Sequence, residues 1–346
     1  MAVAKRVSNA VIFVLVALLI GGGLQATTQE KRQDRKKSES PQMEKSEGVA
    51  AQQKENSDRE GYRVGVDVNQ VVVNVTVYDR DDALVTDLKQ EHFLIYEDKV
   101  QQAITNFGQI DMPSTVGLAI DTSGSMKRKL DFVVRAAKLF VDKSNPENEL
   151  FLVEFNDKAT LVEDFTRDLD DVRDSLDNMI ASGGTALYDA IYLAVDEAGR
   201  GSEAKKVLLV FTDGEDKDSH YKIDEMLARI RDSDVQVYLI IFVGDDVKSD
   251  RGFFGIRKSE KEKLQEKMAE IAEATGGRVF YPDKLEDLDT VFARIANELR
   301  NQYRIAYLSS NQVRDGKWRE IRVQLASLPP KDSHYRLRTR RGYFAK

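Results

Sequence analysis

Three short segments of the 346-residue chain hold side chains that could do chemistry together: DTSGSM (121–126), SGGTALYDA (182–190) and FTDGED (211–216). They supply Asp121, Ser123, Ser125, Thr185 and Asp213, all oxygen-bearing and none of them His or Cys. Oxygen-only ligands select a hard cation, Mg²⁺ or alternatively Mn²⁺ or Ca²⁺, over zinc or copper. Two carboxylates nearly neutralise a divalent ion, and three neutral hydroxyls add no further charge. An ion held this way stays electrophilic and has room for a carboxylate from another molecule. The plainer reading makes the same residues turn formers and helix caps at strand ends. Capping alone does not require three segments to meet at one place.

The meeting depends on the elements around them. TVGLAI (115–120), LFLVEF (150–155), VLLVFT (207–212) and VQVYLIIFV (235–243) are nearly continuous apolar runs, the pattern of parallel strands covered on both faces. Helical spacing follows at Leu169, Val172, Leu176 and Met179, at Ile223, Met226, Leu227 and Ile230, and at Leu285, Leu288, Phe292, Ile295 and Leu299. The alternation predicts an α/β domain over 113–300, a doubly wound, mostly parallel sheet flanked by helices, with ligands beyond the carboxyl ends of the strands. Asp121 and Asp213 fall at two such ends. Gly183 and Gly184 deliver Thr185 to the start of a helix carrying Leu187, Ile191, Ala194 and Val195.

Both flanks change to strand period. Val64, Val66 and Val68 share one face, and Val71, Val73, Val75 and Val77 share one after a slip near Asn69–Gln70. HFLIYEDKVQQAITNF (92–107) predicts a hairpin across Glu97–Asp98–Lys99. After Arg300, QYRIAYL (302–308), KWREIRVQL (317–325) and HYRLRTRRGYF (334–344) follow. Pairing 301–346 with 62–112 into one small β-module leaves fewer exposed edges than two separate sheets.

DTSGSM, Thr185 and the aspartate of TDG resemble the metal-ion-dependent adhesion site (MIDAS) of von Willebrand factor type A (VWA) domains, with all five positions matched in order. The resemblance implies that Ser123, Ser125 and Thr185 bind the ion directly or through water. Asp121 and Asp213 would often act through water, and an Asp or Glu of a protein partner would complete the shell. Gly124, Met126, Gly184, Phe253 and Phe254 are then expected partner contacts. The flanks resemble those of exported bacterial VWFA-related proteins, which extends the likeness over 62–346. The function implied is partner binding, in adhesion or complex assembly, and not catalysis. A metal-independent scaffold of the cell envelope is the alternative.

Other chemistries fit less well. An aspartate-nucleophile phosphatase would need a second acid two residues after Asp121, where Ser123 stands. TSGSM is not G-x-S-x-G, and His92, His220 and His334 have no evident relation to a nucleophile. DGEDKDS (213–219) lacks the glycine and glutamate spacing of an EF-hand loop. Phe253 and Phe254, in a polar, glycine-flanked loop, read as an inward plug or a partner contact.

Composition bounds the rest. With 41% hydrophobic and 32% charged residues and a net charge of −7, the chain gives no general reason to expect nucleic-acid binding. The absence of cysteine excludes disulfides and thiolate chemistry. Residues 311–346 carry ten basic and three acidic side chains, with Arg336, Arg338 and Arg340 expected on one strand face, solvated or turned toward the acidic 62–112 region. At the N-terminus, Lys5 and Arg6 precede an uncharged run of fifteen residues (10–24) and then LQA (24–26). This pattern predicts a signal peptide cut after Ala26, or alternatively a retained membrane anchor, in residues 1–26. Residues 27–61 hold eight basic and eight acidic side chains and almost nothing apolar, a charged linker with too little to bury to offset its ordering entropy. The expected location is therefore outside the cytoplasm, periplasmic or secreted, or tethered to the membrane.

Overall fold

A computed structural model describes residues 70–242, 260–326 and 335–346. The N-terminal expectations, the Val64–Val68 face, Phe253, Phe254 and His334 lie outside these residues. Among the described residues no helix is long and apolar enough to cross a membrane.

The central sheet has six strands: β5 (Ser114–Asp121), β6 (Glu149–Phe155), β7 (Ala159–Thr166), β8 (Lys205–Thr212), β9 (Val235–Ile241) and β10 (Arg278–Phe280). Their order is β10-β9-β8-β5-β6-β7, with every pairing parallel except β6 with β7. Helices cover both faces, which is why the parallel strands are apolar throughout. On one face Val116, Leu118, Ile120, Val207, Leu209 and Phe211 pack against α1 (Leu130–Lys143), α2 (Leu169–Asp177) and α6 (Leu288–Arg300). On the other, Ala119, Leu208 and Val210 pack against α3 (Leu187–Arg200), α4 (Ile223–Arg231) and α5 (Glu260–Ala274). The fold is thus the doubly wound α/β sandwich that the strand–helix alternation predicts.

Two further four-stranded sheets are built from both flanks. One runs β13-β1-β11-β4, with β1 (Gln70–Tyr78), β4 (Ile104–Gly108), β11 (Tyr303–Leu308) and β13 (Arg336–Arg338). The other runs β14-β12-β2-β3, with β2 (Phe93–Glu97), β3 (Val100–Gln102), β12 (Trp318–Leu325) and β14 (Gly342–Phe344). Val71, Val73, Val75 and Val77 of β1 meet Phe93, Ile95, Tyr303, Ile305, Tyr307 and Ile321 in a common core. The β2–β3 turn places Asp98 and Lys99 at φ 46° and 69°, the double positive φ of a tight hairpin whose twist matches its strands.

Several boundaries differ from expectation. The last helix begins at Leu288, because Leu285–Asp287 form a separate 3₁₀ turn. The tail run 334–344 is broken, so Arg336, Arg338 and Arg340 do not share one strand face. Arg336 and Arg338 lie in β13, whereas Arg340 makes an isolated bridge to Thr275. Strands β7 and β10 and helix α5 carry weaker periodicity and were not expected from the sequence.

Candidate functional site

Strand β5 lies between β8 and β6, so its carboxyl end opens where the chain winds away in both directions, the usual ligand crevice of such a sheet. Asp121, its last residue, is fully buried. Its Oδ1 accepts the Ser123 N–H at 2.9 Å and its Oδ2 accepts the Thr212 hydroxyl at 2.8 Å. Thr212 thereby ties the end of β8 to the end of β5, and its hydroxyl also accepts the Gly214 N–H at 3.0 Å. Asp213 is the next residue and is also buried. Burial, with the like charge of Asp213 adding to it, outweighs the Ser123 and Thr212 hydrogen bonds and holds the Asp121 carboxyl above its usual range.

Past β5 the chain turns through a short 3₁₀ segment, Gly124–Met126, into α1. Ser123 is buried and Ser125 exposed, yet their hydroxyls lie 3.0 Å apart. The turn fixes this proximity: the Met126 N–H donates to the Ser123 carbonyl at 3.0 Å. Met126 itself is fully buried in the core with Leu130 and Val133. This corrects its expected role as a partner contact, since an apolar side chain closing the helix start is worth more to the core than to the surface.

The third loop is stitched to the first. The Gly124 N–H donates to the Gly183 carbonyl at 3.0 Å, and the Ser182 N–H to the Thr122 carbonyl at 2.7 Å. Gly183 adopts φ +77°, and a Cβ on Gly184 would collide with the Asp218 carboxylate, so neither position suits a larger residue. Thr185, 3% exposed, follows at the approach to α3. Its N–H donates to Asp218 Oδ2 at 2.7 Å, and its carbonyl accepts from Lys217 and Asp218. The acidic stretch 213–219 therefore has a structural job: Asp216 and Ser219 accept the Tyr188 N–H, and Asp218 holds Thr185. Asp157 accepts the Gly184 N–H at 2.6 Å from a fourth loop.

All five predicted ligands thus sit on three loops joined by direct hydrogen bonds at one strand edge. Gly124 is exposed and Gly184 half-buried beside them. Sequence reasoning missed Thr212, Asp157, Asp218 and Lys129. The threonine was visible in TDG as the residue before the acid, but its hydrogen bond to Asp121 depends on strand register. Lys129 bridges to Asp213 Oδ2 at 3.0 Å, with the lysine side chain 22% exposed. His220 and His92 play no part here. His220 is exposed beside Asp189, and His92 accepts the Lys89 N–H.

The donor set fits a hard divalent cation. Among the described residues no three His, Cys, Asp or Glu side chains cluster as a metal site, and here hydroxyls make up the number. The Ser123 and Ser125 hydroxyls, 3.0 Å apart and hydrogen-bonded to each other, offer two neutral oxygens side by side.

An uncharacterized Synechocystis sp. protein is 28% identical over 110 residues, 31% of this chain and 26% of that protein, so the match spans about a quarter of the relative's length. Among solved structures, BatB from Bacteroides thetaiotaomicron is similar at 18% identity and a TM-score of 0.43, covering 54% of this chain and 98% of BatB. A von Willebrand factor type A protein from Catenulispora acidiphila gives 13% and 0.45, over 81% of this chain and 74% of that one. Proximal thread matrix protein 1 from the mussel byssus, with a zinc-occupied MIDAS motif, gives 18% and 0.45, over 59% and 49%. A family model, the von Willebrand factor type A domain, matches residues 115–294, more than half of the chain, and the protein belongs to that family.

Proposed function

We propose that this protein binds a protein partner through a divalent cation, most simply Mg²⁺, held by Asp121, Ser123, Ser125, Thr185 and Asp213. The observation that carries the reading is the convergence of three loops, fastened by Thr212 to Asp121 at 2.8 Å and Gly124 to Gly183 at 3.0 Å. When bound, the ion supplies an electrophilic centre for an acidic side chain of the partner. The chain's own residues do the rest. Asp121 and Asp213 provide the negative charge, and the buried Asp121 carboxylate gains most from a cation beside it. Ser123, Ser125 and Thr185 provide neutral oxygens, which leave the ion's charge for the incoming group. Gly124 and Gly184 keep the approach open. The role is binding in adhesion or complex assembly, outside the cytoplasm, with the partner presenting Asp or Glu.

The Lys129–Asp213 ion pair favours a second reading. A built-in ammonium already offsets one carboxylate, so the domain could serve as a scaffold without metal. The double variant Asp121→Ala, Ser123→Ala separates the two. Capture of a partner from envelope extract in Mg²⁺ is expected to fail in the variant and in EDTA. Capture that survives both would favour the scaffold.

A further inference from the structure

A cavity of about 260 Å³ lies at the opposite end of the central sheet from the metal site, between the amino ends of β8 and β9 and the face of β1 and β11. Lys205 and Lys206 of β8, Arg304 of β11 and Arg340 line it, with Asn74, Gln236 and Gln302 as polar neighbours and Ile110 at its rim. Crevices between packed modules are common ligand sites, and this volume is a little below the roughly 300–1,000 Å³ of drug-sized pockets. It suits a metabolite-sized molecule.

Its lining includes these four cations and one acid, Asp234. Arg340 is paired with Asp234. Among the described residues, the hydrogen-bond partners of the other three are the Leu299 carbonyl, the Gly201 carbonyl and the Met112 sulfur, at 2.6, 2.5 and 2.6 Å. None is a carboxylate. Of the nearby acids, Asp111 pairs with Arg300 and Glu203 with Arg167, while Glu149 and Glu298 accept from neutral hydroxyls and still attract Lys206 and Lys205. Burial lowers the Lys205 amine to about 8, a cost that an anion in the cavity would relieve.

We propose that this cavity binds a small polyanion, of the phosphate or polycarboxylate class. Lys205 and Lys206 each use one proton on a helix-end carbonyl and keep two for the ligand. Arg304 serves no helix end and is the most direct reporter.

Calorimetric titration of the whole chain with inorganic phosphate and, separately, citrate tests this, against sodium chloride at matched ionic strength. Saturable binding of one or both below about 10 mM is expected, and which of them binds identifies the source. Arg304→Gln is expected to weaken it about tenfold or more. Asn74→Asp, which adds a negative charge to the wall without removing a cation, should weaken it likewise. Absence of saturable binding by either anion, or unaltered binding in both cavity variants, would overturn the assignment.

Discussion

At the scale of single residues, the site is a balance between two carboxylates and the cations available to them. Asp121 is buried, and Lys129 stands 3.0 Å from the Asp213 carboxylate. Any divalent ion at the site must share Asp213 with that ammonium or displace it. Lys129→Met is therefore expected to tighten Mg²⁺ several-fold, by roughly 1 kcal/mol, read by calorimetric titration. Unchanged or weaker affinity would show that the lysine supports the ion. The five oxygen donors were legible because each residue type and its strand-end position are local in sequence. Lys129 and Asp218 were not, since their contacts with Asp213 and Thr185 span 84 and 33 residues and depend on how loops fold back.

At the scale of elements, strand and helix positions were legible wherever periodicity was strong, as in β5, β8, β9, α2, α4 and α6. Edge strand β7 alternates half-buried and exposed residues, and β10 has three residues, so neither announces itself. Packing adds constraints that no pattern states. Gly117 of β5 faces the Phe151 ring of β6, which occupies the space a Cβ would need. Gly117→Ala should destabilise the protein by about 1–3 kcal/mol in urea unfolding, and a neutral result would mean the ring relocates freely. Helix α6 is fastened to the flanking β1 and to β9 through one buried carboxylate. Glu298 accepts from the Tyr78 and Tyr238 hydroxyls, the latter at 2.7 Å, and Gln302 extends the network to Thr76 at 3.0 Å. Glu298→Gln is expected to cost about 2 kcal/mol and to raise hydrogen exchange in both α6 and β1. Exchange rising in one alone would deny the coupling.

At the scale of the whole molecule, charge sets how stability answers pH. Burial alone would raise the Glu149 carboxyl, but hydrogen bonds from Ser202 and Thr115 outweigh it and hold it below its ordinary 4.5. Asp82 is likewise held low: its burial is outweighed by hydrogen bonds from Arg278 and Arg294. A carboxyl whose folded value is depressed contributes stability that is fully present above its unfolded value and lost as pH falls through the folded one. Stability should accordingly fall on acidification below pH 4.5, the ordinary value for Glu149, and Glu149→Gln should flatten that slope in pH-dependent urea unfolding. An unaltered slope would assign the acid sensitivity to other groups. The metal adds a second linkage: an ion that binds only the folded state stabilises it by about 2.7 kcal/mol at a hundred times its dissociation constant. The central claim is tested most directly by calorimetric titration of Mg²⁺ into the EDTA-stripped chain and into Asp121→Ala, Ser123→Ala. One saturable ion per chain in the unaltered protein and none in the variant is the predicted result. Equal binding in both, or none in either, would contradict it.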